Sequence, residues 1–280
     1  MKKINIFSSQ PKTDFLEYMQ SLGVWQDWKP MQLFPSQVNG TRSLREIPHY
    51  TKHHELLHHP WLDQFRQAQL SPSTLQTWLK QRYLISWCFP NWLLAIVAKL
   101  PTPEARIPLL MNLQEEHGLS SGHTKPHPQM WQQLFEELNV VAPGASLPLP
   151  SSPSELIPGT QSYLQLYTEA CFKLPSLVGL GAIAFTESIL PHENKLILEG
   201  LNQLGVSDGG QEFFAVHCAC DEAHANEIIS VIELVADDLE TIQQVWQGVE
   251  MAVIARYAFY NSLLNHQHQH QQPSQTMLVA

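Results

Sequence analysis

The chain is poor in charge. Only 15% of its 280 residues are Asp, Glu, Lys or Arg, and acids outnumber bases 26 to 16, a formal net charge of −10. No basic cluster interrupts that balance, which argues against a nucleic-acid partner. Long apolar runs are missing as well, so no segment reads as a membrane span. The opening Met1-Lys2-Lys3-Ile4-Asn5-Ile6-Phe7 passes straight into polar residues, without the apolar core of an export signal, and the expected location is the cytoplasm. Cysteine is scarce. Cys88, Cys171, Cys218 and Cys220 are then expected to be reduced thiols. The pair Cys218-Ala219-Cys220 has no second pair to complete a zinc knuckle. No stretch alternates apolar and polar residues as a half-buried strand would, and no segment repeats.

What is present is a helix-forming sequence with ample core material, 44% of it hydrophobic. Apolar spacing predicts an all-α fold, with helices over about 51–69, 73–100 with Pro90 as a kink, 103–116, 128–138, 160–190, 192–204, 210–236 and 238–265. Ser207 or Asp208 suits the N-cap of the helix that follows it. The stretch 142–159 holds five prolines and reads as a loop. Residues 1–50 form a polar, Trp-containing extension expected to pack on a single domain at 51–265. Residues 266–280, rich in His and Gln, read as a disordered tail.

The most informative run is His217-Cys218-Ala219-Cys220-Asp221-Glu222-Ala223-His224. Steps of four and three return to one helix face, so His217, Asp221 and His224 share a stripe. Two imidazoles and a carboxylate suit iron or zinc. A merely solvated stripe fits poorly, because Phe213, Phe214 and Val216 precede it and Ile228, Ile229 and Val231 follow it. Glu187 is the only acid between Glu169 and Glu193. In so apolar a segment it needs a partner: a metal, a proton or a cation. A competing motif, His54-Glu55-Leu56-Leu57-His58, matches the zinc-protease pattern, but His59-Pro60 follows at once and interrupts the helix that chemistry requires.

The segments His59 to Phe65, Gln69 to Leu75 and Trp78 to Tyr83 resemble the opening helices of haem-oxygenase-like folds, a group that includes thiaminase-type and pyrroloquinoline-quinone-synthase-type proteins. Within it, Asn112-Leu113-Gln114-Glu115-Glu116-His117-Gly118, Pro126-His127-Pro128-Gln129-Met130-Trp131, Glu187 and the His217 to His224 run are similar to the haem-oxygenase-like diiron oxidases and oxygenases. The resemblance spans roughly 55–235. It implies a bundle of seven to eight helices with an internal ligand set of Glu116, His127, Glu187, His217, Asp221 and His224. Glu115 and His123 stand as alternatives to Glu116 and His127. Glu116 is preferred for its place just before the His117-Gly118 pair, and His127 for the Pro-x-Met-Trp that follows it.

The implied cofactors are two ferrous ions, with dioxygen as co-substrate. His217, Asp221 and His224 are expected at the core of one iron site. The family chemistry is oxidation of small amino-acid-type or fatty-acid substrates, often in natural-product pathways. Ferritin-like sites need two Glu-x-x-His motifs on separate helices, and Glu55 to His58 does not make such a site with the other carboxylates. Expected partners are a small-molecule substrate and an external electron donor, with no membrane; a homodimer stays open. Tyr83, Trp87, Phe185, Phe214 and Arg256, with Arg82 as a second arginine, are the expected pocket residues. A pocket with an arginine would favour an amino acid, and a long apolar tunnel a fatty acid. The rival readings are a cofactor-free enzyme of the same fold and a non-catalytic helical interaction protein.

Overall fold

A computed structural model of the chain describes residues 14–24, 43–119 and 125–271, without the side chains of 219–222 and 270–271. Among the described residues the regular elements are helices: α1 (Phe15–Ser21), α2 (Ile47–Lys52), α3 (Pro60–Arg66), α4 (Pro72–Lys99), α5 (Pro103–Glu116), α6 (His127–Glu137), α7 (Pro158–Thr168), α8 (Ser176–Gln203), α9 (Asp208–Val235) and α10 (Leu239–Gln271). The eight from α3 onward make the bundle, in line with the count expected. The short α1 and α2 are additions from the N-terminal lead-in. Met19 and Leu22 of that lead-in are fully buried, and the Tyr18 hydroxyl donates to Pro150 O at 2.8 Å.

Local chemistry sets the helix starts. Ser71, Thr102 and Ser207 each accept a hydrogen bond from a backbone N–H of the first turn, and Pro72 and Pro103 occupy early positions where a missing N–H costs nothing. The end of α5 is equally specific. Leu119 N–H donates to Gln114 O at 2.8 Å and Gly118 N–H to Glu115 O at 2.9 Å, with Gly118 at φ +68°. This is the glycine-terminated helix end in which the backbone turns left-handed. It stops α5 directly after Glu115 and Glu116.

Helix α8 is the hub, packing against α9, α10, α3 and α2. It differs from the sequence reading at both ends of the expected 160–190 helix. The chain breaks at Leu174, whose ψ of 168° is extended because Pro175 follows it. A short π-helical turn at Glu169–Lys173 precedes the break. At Pro191, where a boundary was expected, α8 runs on without interruption. The ring removes the N–H that would bond Glu187 O, but packing on several sides holds the helix through it. Pro90 likewise lies inside a continuous α4.

The expected tail boundary also moves. Helix α10 continues past 265 to Gln271, and Gln267 is fully buried, accepting from Ser71 N–H at 2.9 Å and donating to Gln69 O at 3.1 Å. Residues 272–280 lie outside the described residues. No helix among the described residues is long and apolar enough to cross a membrane.

Candidate metal centre

Three of the expected ligands converge. Glu116 from the end of α5, His127 from the start of α6 and His217 from α9 place ligand atoms within 4.8 Å of one another, and all three residues are buried. The His217 Nδ1–H donates to Phe213 O at 2.6 Å, one turn back on α9. That bond fixes the tautomer and leaves the Nε2 lone pair free for a metal. His127 Nδ1 lies 2.8 Å from Glu116 Oε2, a close imidazole–carboxylate pair buried in the site. Two ligand-type atoms held this close fit a shared cation.

The electrostatics differ between the two imidazoles. Burial alone would lower the pKa of His127, yet the adjacent Glu116 carboxylate outweighs it and raises the pKa. For His217, burial and the neighbouring His127 hold the pKa well below the usual range. His217 is therefore a neutral imidazole at neutral pH, the form that ligates metal.

A second group adjoins the first. His224 Nε2 is 3.0 Å from Glu115 Oε2, and its Nδ1 is 3.7 Å from Glu187 Oε2. The other Glu187 oxygen accepts a hydrogen bond from Asn112 Nδ2 at 3.1 Å. Glu115, Glu116, Glu187 and the three histidines line one partly open pocket of about 570 Å³, mouth included. The Asp221 side chain and His123 lie outside the described residues.

His217 and His224 have different neighbours among the described residues. His217 joins His127 and Glu116, while His224 joins Glu115 and Glu187. Seven residues separate the two histidines, a rise of about 10 Å along the helix axis, which carries them to different parts of the pocket. Glu115 also enters beside Glu116 rather than in its place.

Of the five expected pocket residues, Arg256 alone lines the cavity. Tyr83 packs on Trp131 and Phe135, Trp87 on Phe15 and Tyr18, Phe185 on Tyr50 and His54, and Phe214 on Trp78 and Trp131. On α4 the true wall is Arg82, Ile85, Ser86 and Phe89, spaced by three and four. Tyr83 is a single residue further, which turns it about 100° away.

Asn112 is a residue the sequence reading quoted without giving it a role. Its position four before Glu116, one helical turn, was the available signal. The zinc-protease motif is absorbed into structure. His54 Nδ1 accepts from Leu56 N–H at 3.0 Å, its Nε2–H donates to the Tyr50 hydroxyl at 3.0 Å, and His58 is exposed.

Among the described residues the fold is an all-helical bundle enclosing buried carboxylates and imidazoles. Residues 76–257 match the family of iron-containing redox enzymes, and the chain belongs to that family. Proteins named 4-aminobenzoate synthase are similar to it. That of Nitrosomonas europaea is 26% identical over 220 residues, covering 74% of this chain and 85% of its own. That of Chlamydia pneumoniae is 25% identical over 211 residues, covering 75% and 89%. Among solved structures, a TenA homolog from Pseudomonas syringae pv. tomato superposes with a TM-score of 0.61 at 14% identity, over 79% of this chain and 91% of that one. A CADD-like protein of unknown function from Nostoc punctiforme reaches 0.65 at 16% identity, over 80% and 96%. These two likenesses establish the fold.

Proposed function

We propose that the protein is a non-haem diiron enzyme that uses dioxygen to oxidise a small amino-acid-type substrate. The observation that carries this reading is the convergence of buried Glu116, His127 and His217 beside Glu115, Glu187 and His224 on one pocket. Imidazole and carboxylate together are the donor set that suits iron, and two adjoining groups suit two ions. Asp221 completes the set that the family resemblance implies. Ferrous ions bound there supply the electrons for dioxygen reduction.

The chain's own residues do the rest. Phe213 O orients His217, and Asn112 orients Glu187. Ile85, Phe89, Leu190 and Val216 give the pocket apolar walls that exclude water from the reacting centre. Arg82 and Arg256 stand in the same wall and favour a substrate with an acidic group. The relatives' name, 4-aminobenzoate synthase, is in keeping with an aromatic, amine-bearing carboxylic acid. A biosynthetic, natural-product role and an external electron donor accompany this reading.

The test is anaerobic titration with ferrous iron followed by oxygen exposure. Two irons per chain and iron-dependent oxygen uptake, accelerated by an amino acid, are expected. Removing His217 by His217→Ala should abolish uptake while the helical circular-dichroism signal persists. Saturation at no iron would return the protein to the cofactor-free or non-catalytic readings. Acceleration by a medium-chain fatty acid, and by no amino acid, would move the substrate to the fatty-acid alternative.

A further inference from the structure

Arginine 256 is buried to 3% exposure and lines the metal pocket. Its Nη1 donates to both oxygens of Glu193, at 3.1 and 3.0 Å, and Glu193 also accepts from the Tyr260 hydroxyl. Glu193 is itself 1% exposed. The pair is therefore internally neutralised, which is what allows a guanidinium to lie this deep. The opposite edge of the same guanidinium is different. Nε and Nη2 are both buried and neither has a hydrogen-bond partner.

That edge has a definite chemistry. Nε–H and Nη2–H point the same way, spaced to meet the two oxygens of one carboxylate. The protein uses this very edge elsewhere: Arg45 Nε and Nη2 reach the two oxygens of Glu233 at 2.7 and 3.4 Å. Two buried donors left unbonded carry a desolvation cost that a ligand's carboxylate would relieve. Arg82, 9% exposed on the same pocket wall, has no hydrogen bond or ion pair among the described residues and rests with its guanidinium 5.9 Å from the Phe213 ring centroid. Its guanidinium thus rests against Phe213, the residue whose carbonyl holds His217.

We infer that the substrate is a carboxylate held by the free Nε/Nη2 edge of Arg256. Glu193 and Tyr260 act as positioning residues behind the guanidinium, and Arg82 adds attraction along the path to the metal groups. This rests on the pocket being the substrate site, as the proposed function has it. The two sources of such a group are an amino acid and a fatty acid, and they share this anchor.

The experiment is calorimetric binding to the full chain, stripped of metal with chelator, using four probes: L-phenylalanine, L-phenylalaninamide, octanoate and octanamide. At least one acid should bind about tenfold or more tightly than its amide, the margin of a charge-assisted bidentate contact. Arg256→Lys keeps the charge beside Glu193 but loses the fork, and should erase the acid's advantage over its amide. Should that variant misfold, the double variant Arg256→Met/Glu193→Leu removes the ion pair as a unit, a replacement buried pairs often tolerate, and should erase it equally. Preference for L-phenylalanine or for octanoate supports the anchor and names its source. Equal binding of acid and amide, no binding of either acid to the wild type, or an acid preference that survives both variants overturns it. Because no metal is present, a failure of iron-dependent oxygen uptake is scored separately and bears only on the redox reading.

Discussion

At the residue scale, the candidate ligands are as dependent on their supports as on their own donor atoms. Glu187 faces the pocket from an apolar helix, and its Oε1 is tethered by Asn112 Nδ2. Replacing Asn112 with Ala deletes that donor and frees the carboxylate to rotate. Metal affinity should fall by about 10–100-fold, the range typical of lost outer-sphere partners. Competition against a chromophoric chelator measures it, and an unchanged affinity would count against Glu187 as a ligand. Of the candidate ligands, Glu187, His217 and His224 stand out in sequence because they violate their surroundings, whereas Glu116 and His127 rest on the family resemblance. Glu187 is a lone acid in apolar sequence, and His217 and His224 sit on a helix flanked by Phe and Ile. The pocket residues were not legible. Tyr83 and Arg82 are neighbours in a helix that is apolar on most sides, and only the direction in which α4 meets α6 and α9 decides which faces the cavity.

At the scale of elements, the turn after α5 is the joint on which the first metal group depends. Gly118 sits at φ +68°, and a Cβ there would lie 2.6 Å from the backbone nitrogen of Pro126, the residue before His127. One glycine thus brings the end of α5, carrying Glu116, against the start of α6, carrying His127. Gly118→Ala combines left-handed strain with a backbone clash, each of about 1–3 kcal/mol. Urea unfolding should show a loss of about 2 kcal/mol or more, and iron binding should weaken in the same variant. A stability within 0.5 kcal/mol of wild type, on the order of an ordinary surface change, would refute the joint. The helix count and most boundaries were readable from periodicity and caps, Ser207 among them. The failures were at proline. Pro175 ends a helix because the extended Leu174 is free to leave it, whereas Pro191 stays inside one because neighbouring helices hold α8 on both sides of it. Propensity is the same at both positions, and tertiary packing decides.

For the molecule as a whole, binding and folding are linked. The two groups draw on α5, α6, α8 and α9, so cations bound at both would tie four helices together, three at each group. Ferrous iron at a free concentration a hundredfold above its dissociation constant should add about 2.7 kcal/mol of stability, a rise in Tm of roughly 5–10 °C for a domain of this size. Anaerobic thermal melts with and without chelator check this, and His217→Ala should remove most of the shift. A melt indifferent to iron in the wild type would mean that the groups do not bind iron. The all-α class could be foreseen because nothing in the sequence alternates. The end of the bundle could not, because Gln267 reads as one glutamine in a polar repeat and is buried only through its bonds to the start of α4.

Helix α10 also sets a ruler. Gly248 lets it approach α8 so closely that an added Cβ would lie 1.9 Å from Val178 O, and eight residues later Arg256 reaches the pocket. The crossing fixes the helix's rotation, and the count of residues fixes where the guanidinium emerges. Inserting or deleting one residue in that interval would swing Arg256 by about 100° and shift it about 1.5 Å. Side chains on the outer face, such as the 45%-exposed Ile254, are free to diverge among descendants of this gene, but the interval's length is not. Natural variation here should run to substitutions and avoid gaps.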